Sequence, residues 1–133
     1  MEVKEMRSLI FFSLLAVAFL LLSCSASKQF EPVPGNLDRG KVEKETIEMT
    51  AERFHFTPEE IHAKQGTLLT LKIKSIQATH GFSLGEFGID ITLEEGVTNT
   101  AELYLPKKGE YTFRCSHFCG IGHLGMKGTL YVE

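Results

Sequence analysis

In the latter part of the sequence apolar residues recur at every second position. Leu69, Leu71 and Ile73 alternate with Thr70, Lys72 and Lys74, and Ala101, Leu103 and Leu105 alternate with Glu102 and Tyr104. Tyr111, Phe113 and Cys115 alternate with Thr112 and Arg114, and Leu130 and Val132 with Thr129 and Tyr131. A period of two sends neighbouring side chains to opposite faces of a strand, so each run is a half-buried strand. After Lys41 no stretch long enough for a stable helix carries an amphipathic helical stripe. Gly66, Gly96 and Gly109 fall where turns are needed. The pattern predicts an all-β domain over residues 41–133, an antiparallel Greek-key sandwich or barrel of about seven or eight short strands.

A chain of 133 residues has room for one such domain and a leader. Lys4 and Arg7 precede an apolar run from Leu9 to Leu22 that only Ser13 interrupts. As a helix this run rises about 21 Å, short of the roughly 30 Å hydrocarbon core of a bilayer. Residues 1–23 therefore read as a signal peptide. The run ends in Leu21-Leu22-Ser23-Cys24, which resembles the bacterial lipoprotein box and predicts cleavage before Cys24 and acylation of its sulfur. The competing reading is a short uncleaved anchor. Both place the rest of the chain outside the cytoplasm and tethered to a membrane. Residues 24–40 turn to Ser, Lys, Gln, Glu, Pro and Gly, the composition of a flexible linker spanning at most about 50 Å. The formal charge is -3, with 14 Lys and Arg against 17 Asp and Glu, which argues against nucleic acid as a partner.

The chemistry lies between the last two expected strands. Cys115, Cys119, His123 and Met126 form Cys-x3-Cys-x3-His-x2-Met, two thiols, an imidazole and a thioether in one loop. Soft sulfur combined with imidazole suits copper, whereas hard cations select oxygen. Gly120, Gly122 and Gly125 allow the backbone to fold closely around an ion. His80, in Thr79-His80-Gly81-Phe82, begins a segment that a sandwich can return to the same loop. The same residues also admit a Cys115–Cys119 disulfide, a mononuclear copper site from His80, Cys119, His123 and Met126, or tetrahedral zinc, for which the thioether of Met126 is a poor ligand. His117 sits inside the loop, where its ring can shield, hydrogen-bond or titrate.

Together the loop, Thr79-His80-Gly81-Phe82, the Gly109–Cys115 lead-in and the closing Lys127–Val132 resemble the binuclear copper A domain of cytochrome c oxidase subunit II and nitrous oxide reductase. The resemblance spans roughly residues 45–133 and implies a cupredoxin fold binding two copper ions. It implies that Cys115 and Cys119 bridge the pair, that His80 and Met126 complete one copper, and that His123 with the backbone carbonyl of His117 completes the other. Oxidases commonly carry glutamate at the position of His117, and their aromatic electron-uptake patch contains a Trp that this sequence lacks. The implied function is electron transfer in the bacterial periplasm or on another extracytoplasmic face. Its donor would be a c-type cytochrome or small copper protein, and its acceptor an oxidase or reductase. A copper store or metallochaperone is the alternative from a different class.

The remaining candidates are structural. His55 and His62 alternate with apolar neighbours and are expected to face water, Met49 to enter the core, and Lys107-Lys108 to occupy a solvated turn. Phe118 is read as an exposed contact for an electron donor.

Overall fold

The computed structural model describes residues 32–133. The expected signal peptide, Cys24 and the first part of the linker lie outside the described residues. Nine strands follow in order: β1 (Lys44–Glu52), β2 (His55–Thr57), β3 (Glu60–Ala63), β4 (Leu68–Ser75), β5 (His80–Leu84), β6 (Ile89–Leu93), β7 (Thr98–Tyr104), β8 (Gly109–Arg114) and β9 (Lys127–Val132). They form two sheets, one in the order β2-β1-β4-β7 and the other in the order β3-β9-β8-β5-β6. The described residues contain no helix longer than a single 3₁₀ turn, and the chain has the cupredoxin sandwich.

Two details depart from the sequence expectation. The sheets are mixed and not wholly antiparallel, because β1 runs parallel to β4 and β3 parallel to β9. Alternation reports which face of a strand is buried and is blind to its direction. Here the chain crosses between sheets after β3, so β4 enters beside β1 in the same sense. The strand count also exceeds seven or eight, because Pro58 separates β2 from β3 and each is too short to show a period. A proline cannot donate to a ladder, and the chain changes sheets at this point.

The inward rows meet in one core. Phe56, Phe82 and Phe113 are fully buried and pack with ring centroids 5.3–5.9 Å apart, within the range favoured by aromatic pairs. Met49 joins this core, while His55, His62, Lys107 and Lys108 are exposed.

The sandwich has two distinct poles. At one, Gln65 N–H donates to the Glu133 carbonyl and Gly66 N–H to that of Leu105, and Gly109 pairs with Val132. The described chain begins at this pole, where Tyr104 N–H donates to the Pro32 carbonyl and the Arg39 guanidinium pairs with Glu102 at 2.7 Å. Residues 32–40, the latter part of the expected linker, thus lie against β7. The Cys115–Met126 loop closes the opposite pole.

Candidate metal centre

Strand phase places three donors before the loop contributes any. Alternation along β5 turns His80, Phe82 and Leu84 inward; along β8 it turns Tyr111, Phe113 and Cys115 inward; along β9 it gives Met126, Gly128, Leu130 and Val132. These three strands are neighbours, in the order β9-β8-β5. His80, Cys115 and Met126 therefore terminate three adjacent inward rows at one pole, directly above Phe82 and Phe113. The Cys115 N–H donates to the Met126 carbonyl at 2.9 Å, which fixes the two row ends side by side.

The loop brings the other donors to this floor. Gly120 adopts φ of 133°, a conformation that residues with a side chain resist, and a 3₁₀ turn over His123–Gly125 reverses the chain into Met126. Sγ of Cys115 lies 3.7 Å from Sγ of Cys119, and Cys119 Sγ lies 3.8 Å from His123 Nδ1 and 4.0 Å from Met126 Sδ. The Cys115 thiol donates to the His117 carbonyl at 3.1 Å. One donor atom from each of His80, Cys115 and Cys119 lies within 4.8 Å of the others. The residues read from the sequence as metal-ligand candidates, His80, Cys115, His117, Cys119, His123 and Met126, thus lie together at one pole. His117 differs from the rest: its carbonyl faces Cys115 while the residue itself is exposed.

His80 tests whether this pocket fits a metal. Its side chain is 0% exposed, and neither ring nitrogen makes a well-formed hydrogen bond among the described residues, although the Ile76 backbone lies close by. Buried polar atoms are paired in folded proteins, and leaving one unpaired costs about 1–3 kcal/mol. Two thiols and a thioether beside an orphaned imidazole nitrogen form a donor set that a soft metal ion satisfies. Burial lowers the pKa of His80, with Arg53 and His117 adding to the effect and the nearby Ile76 backbone opposing it. The ring is therefore held neutral, the form that binds metal. Burial and the adjacent Cys115 thiol push the Cys119 thiol up to about 11.

Several residues that build the site were not singled out from the sequence. Gly81 lets β5 approach the loop, since a Cβ there would strike Ser116 Oγ and the His117 nitrogen. Phe54 packs beneath Gly120 and Gly122, where a Cβ at Gly122 would enter its ring. Ile121 and Leu124 join Phe118 as exposed apolar side chains on the loop, leaving Val97 as the only other exposed large apolar residue among those described. The glycine spacing and the uncharged run from Ser116 to Met126 were the available signals for these features.

A cupredoxin-like domain family matches residues 12–132, nearly the whole chain. The chain belongs to the cupredoxin-like family. This cupredoxin is 32% identical over 88 residues to cytochrome c oxidase subunit 2 of Thermus thermophilus, covering 66% of this chain and 65% of that protein. It is 27% identical over 94 residues to nitrous-oxide reductase of Cupriavidus necator, covering 68% of this chain and 15% of the reductase. The cupredoxin thus spans just under two thirds of the oxidase subunit and a small part of the reductase. The periplasmic domain of cytochrome oxidase subunit II from Bradyrhizobium japonicum shares its fold, with a TM-score of 0.62 at 19% identity over 66% of this chain and 83% of the other.

Proposed function

We propose that this cupredoxin holds two copper ions in a copper A centre and carries electrons outside the cytoplasm, tethered to a membrane through Cys24. The observation that carries the reading is the Cys115–Cys119 sulfur pair, 3.7 Å apart, beside the unpartnered ring of His80. Cys115 and Cys119 would bridge the metals, His80 and Met126 would complete one copper, and His123 with the His117 carbonyl the other. The bound pair supplies one-electron redox chemistry.

The protein's part is to keep the donors still. His80, Cys115 and Met126 stand at the ends of hydrogen-bonded strands, so a change in charge finds little to rearrange. Phe82 and Phe113 exclude water from below. His123 is half-buried with the exposed Phe118 ring against it, at 5.6 Å between centroids, and this pair offers the partner a short path to the donors. We read the chain as an electron carrier and not an enzyme on its own. It would accept electrons from a c-type cytochrome or small copper protein and pass them to an oxidase- or reductase-like complex. Residues 32–40 lie at the pole remote from the metal loop, an arrangement that supports a tether leaving the metal pole free for partners.

Repeated redox cycling tests the carrier against the copper store or metallochaperone. The loaded protein is expected to pass through many rounds of reduction and reoxidation with a small exported cytochrome without losing metal. Stoichiometric transfer of copper to an apo acceptor, with electron exchange no faster than that of free copper, would establish the metallochaperone instead. For the tether, the intact mass of the native protein should show a mature chain starting at acylated Cys24.

A further inference from the structure

The middle residue of the Cys115–Ser116–His117 turn is held by a strand that supplies no donor. Ser116 Oγ donates to the Asp90 carboxylate at 2.6 Å. Asp90 lies on β6, paired with Ser83 of β5, and Ser83 pairs in turn with Arg114 of β8. Asp90 thus sits two strands from β8, on the sheet edge beside the start of the loop. Both residues are exposed, and Asp90 forms no ion pair among the described residues, so Ser116 is the protein group its carboxylate holds.

The two residues flanking Ser116 both present donor atoms. Cys115 contributes Sγ and His117 its carbonyl oxygen, 3.1 Å apart. On the opposite side the Gly81 N–H donates to Cys115 Sγ at 3.4 Å, and the absence of a side chain at Gly81 leaves Ser116 and His117 room to lie against β5. The turn is therefore seated on β5 by close approach and pinned to β6 by one charge-assisted hydrogen bond, a type stronger than a neutral bond.

We propose that Asp90 is a positioning residue for the metal centre, fixing through Ser116 the turn whose first and third residues supply a thiolate and a carbonyl. The proposal rests on the copper reading of those two donors. Without the bond the turn remains in place over Gly81 but gains freedom about Ser116, which spreads the positions of both donor atoms. An asparagine at position 90 keeps an oxygen acceptor and loses the charge, whereas an alanine loses both.

The test compares Asp90→Asn, Asp90→Ala and Ser116→Ala in the full chain. In the metal-free protein, NMR order parameters of the Ser116 and His117 amides are expected to fall from the rigid range of about 0.85 toward about 0.6 in Asp90→Ala and Ser116→Ala, and to stay near the parental value in Asp90→Asn. After copper loading, the two alanine variants are expected to keep the parental metal count and melting temperature. Their EPR hyperfine pattern and reduction potential should shift together, a signature that a purely structural contact would not produce. Unchanged order parameters in both alanine variants, an Asp90→Asn variant as mobile as Asp90→Ala, or an EPR pattern identical to the parent would overturn the proposal. A parent protein that fails to load two coppers would overturn the copper reading instead, while the order parameters would still decide whether Asp90 holds the turn.

Discussion

The ring of Phe118 is 75% exposed and rests against that of His123 at the outer surface of the metal loop. Ile121 and Leu124 stand almost wholly in solvent on the same loop, and no Asp, Glu, Lys or Arg lies between Cys115 and Met126. Apolar side chains of this size grouped at one pole mark a contact surface. Replacing Phe118, Ile121 and Leu124 together by serine is predicted to slow electron exchange with a donor by about tenfold or more, with the copper content unchanged. Because the loop itself is uncharged, stopped-flow rates should change little between low and high ionic strength. A steep salt dependence together with indifference to the triple substitution would place the contact elsewhere.

Gly81 is predicted to tolerate no side chain. Its Cβ would meet Ser116 Oγ and the His117 backbone, and a loop pinned on both sides has little room to yield. Gly81→Ala should destabilise the domain by about 1–3 kcal/mol, read as a lower denaturant midpoint, and should weaken copper retention.

The pH dependence of the metal-free protein follows from His80. Burial lowers its pKa in the folded state, so the folded chain binds this proton less readily than the unfolded chain does. Its contribution to stability is complete above the ordinary value of about 6.5 and is lost as pH falls below it through the depressed folded value. Chemical denaturation from pH 8 to pH 5, values of about the usual working range, should show this loss, and His80→Leu should flatten it. The Cys119 pKa is shifted upward instead, and its effect falls on metal binding. With its thiol raised to about 11, copper uptake near neutrality must release its proton, so copper affinity should rise with pH.

At His117 the proposed centre uses the carbonyl and leaves the ring free. The carbonyl faces Cys115 and the residue is exposed, so His117→Ala and His117→Glu should assemble the same copper count as the parent, with shifts confined to the potential and its pH dependence. Loss of one copper in His117→Ala would show that the imidazole itself is a ligand.

The alternation of Leu69, Leu71 and Ile73, and of Tyr111, Phe113 and Cys115, was sufficient to read the strands and their buried faces, because burial acts on each residue locally. Sheet direction was not legible. The parallel pairing of Glu48 with Lys72, or of Ile61 with Leu130, is decided by where the chain crosses between sheets, and β2 and β3 are too short to carry a period. For the site, the contiguous spacing from Cys115 to Met126 pointed to the candidate donors that the loop gathers, and the Thr79–Phe82 segment pointed to His80 beside them. The Asp90–Ser116 bond and the fit of Gly81 depend on the register of β5 with its two neighbours, which no local pattern encodes. The docking of Pro32 and Arg39 on β7 was hidden in the same way, within a segment whose composition reads as linker.

The central claim is that Cys115 and Cys119 hold two metals sharing one electron. It is tested most directly by metal analysis of the copper-loaded full chain together with its EPR spectrum. The account predicts two coppers per chain and a hyperfine pattern from one electron delocalised equally over two copper nuclei, both abolished in Cys119→Ser. One copper per chain with the hyperfine pattern of a spin localised on a single nucleus, or one zinc in its place, would contradict it.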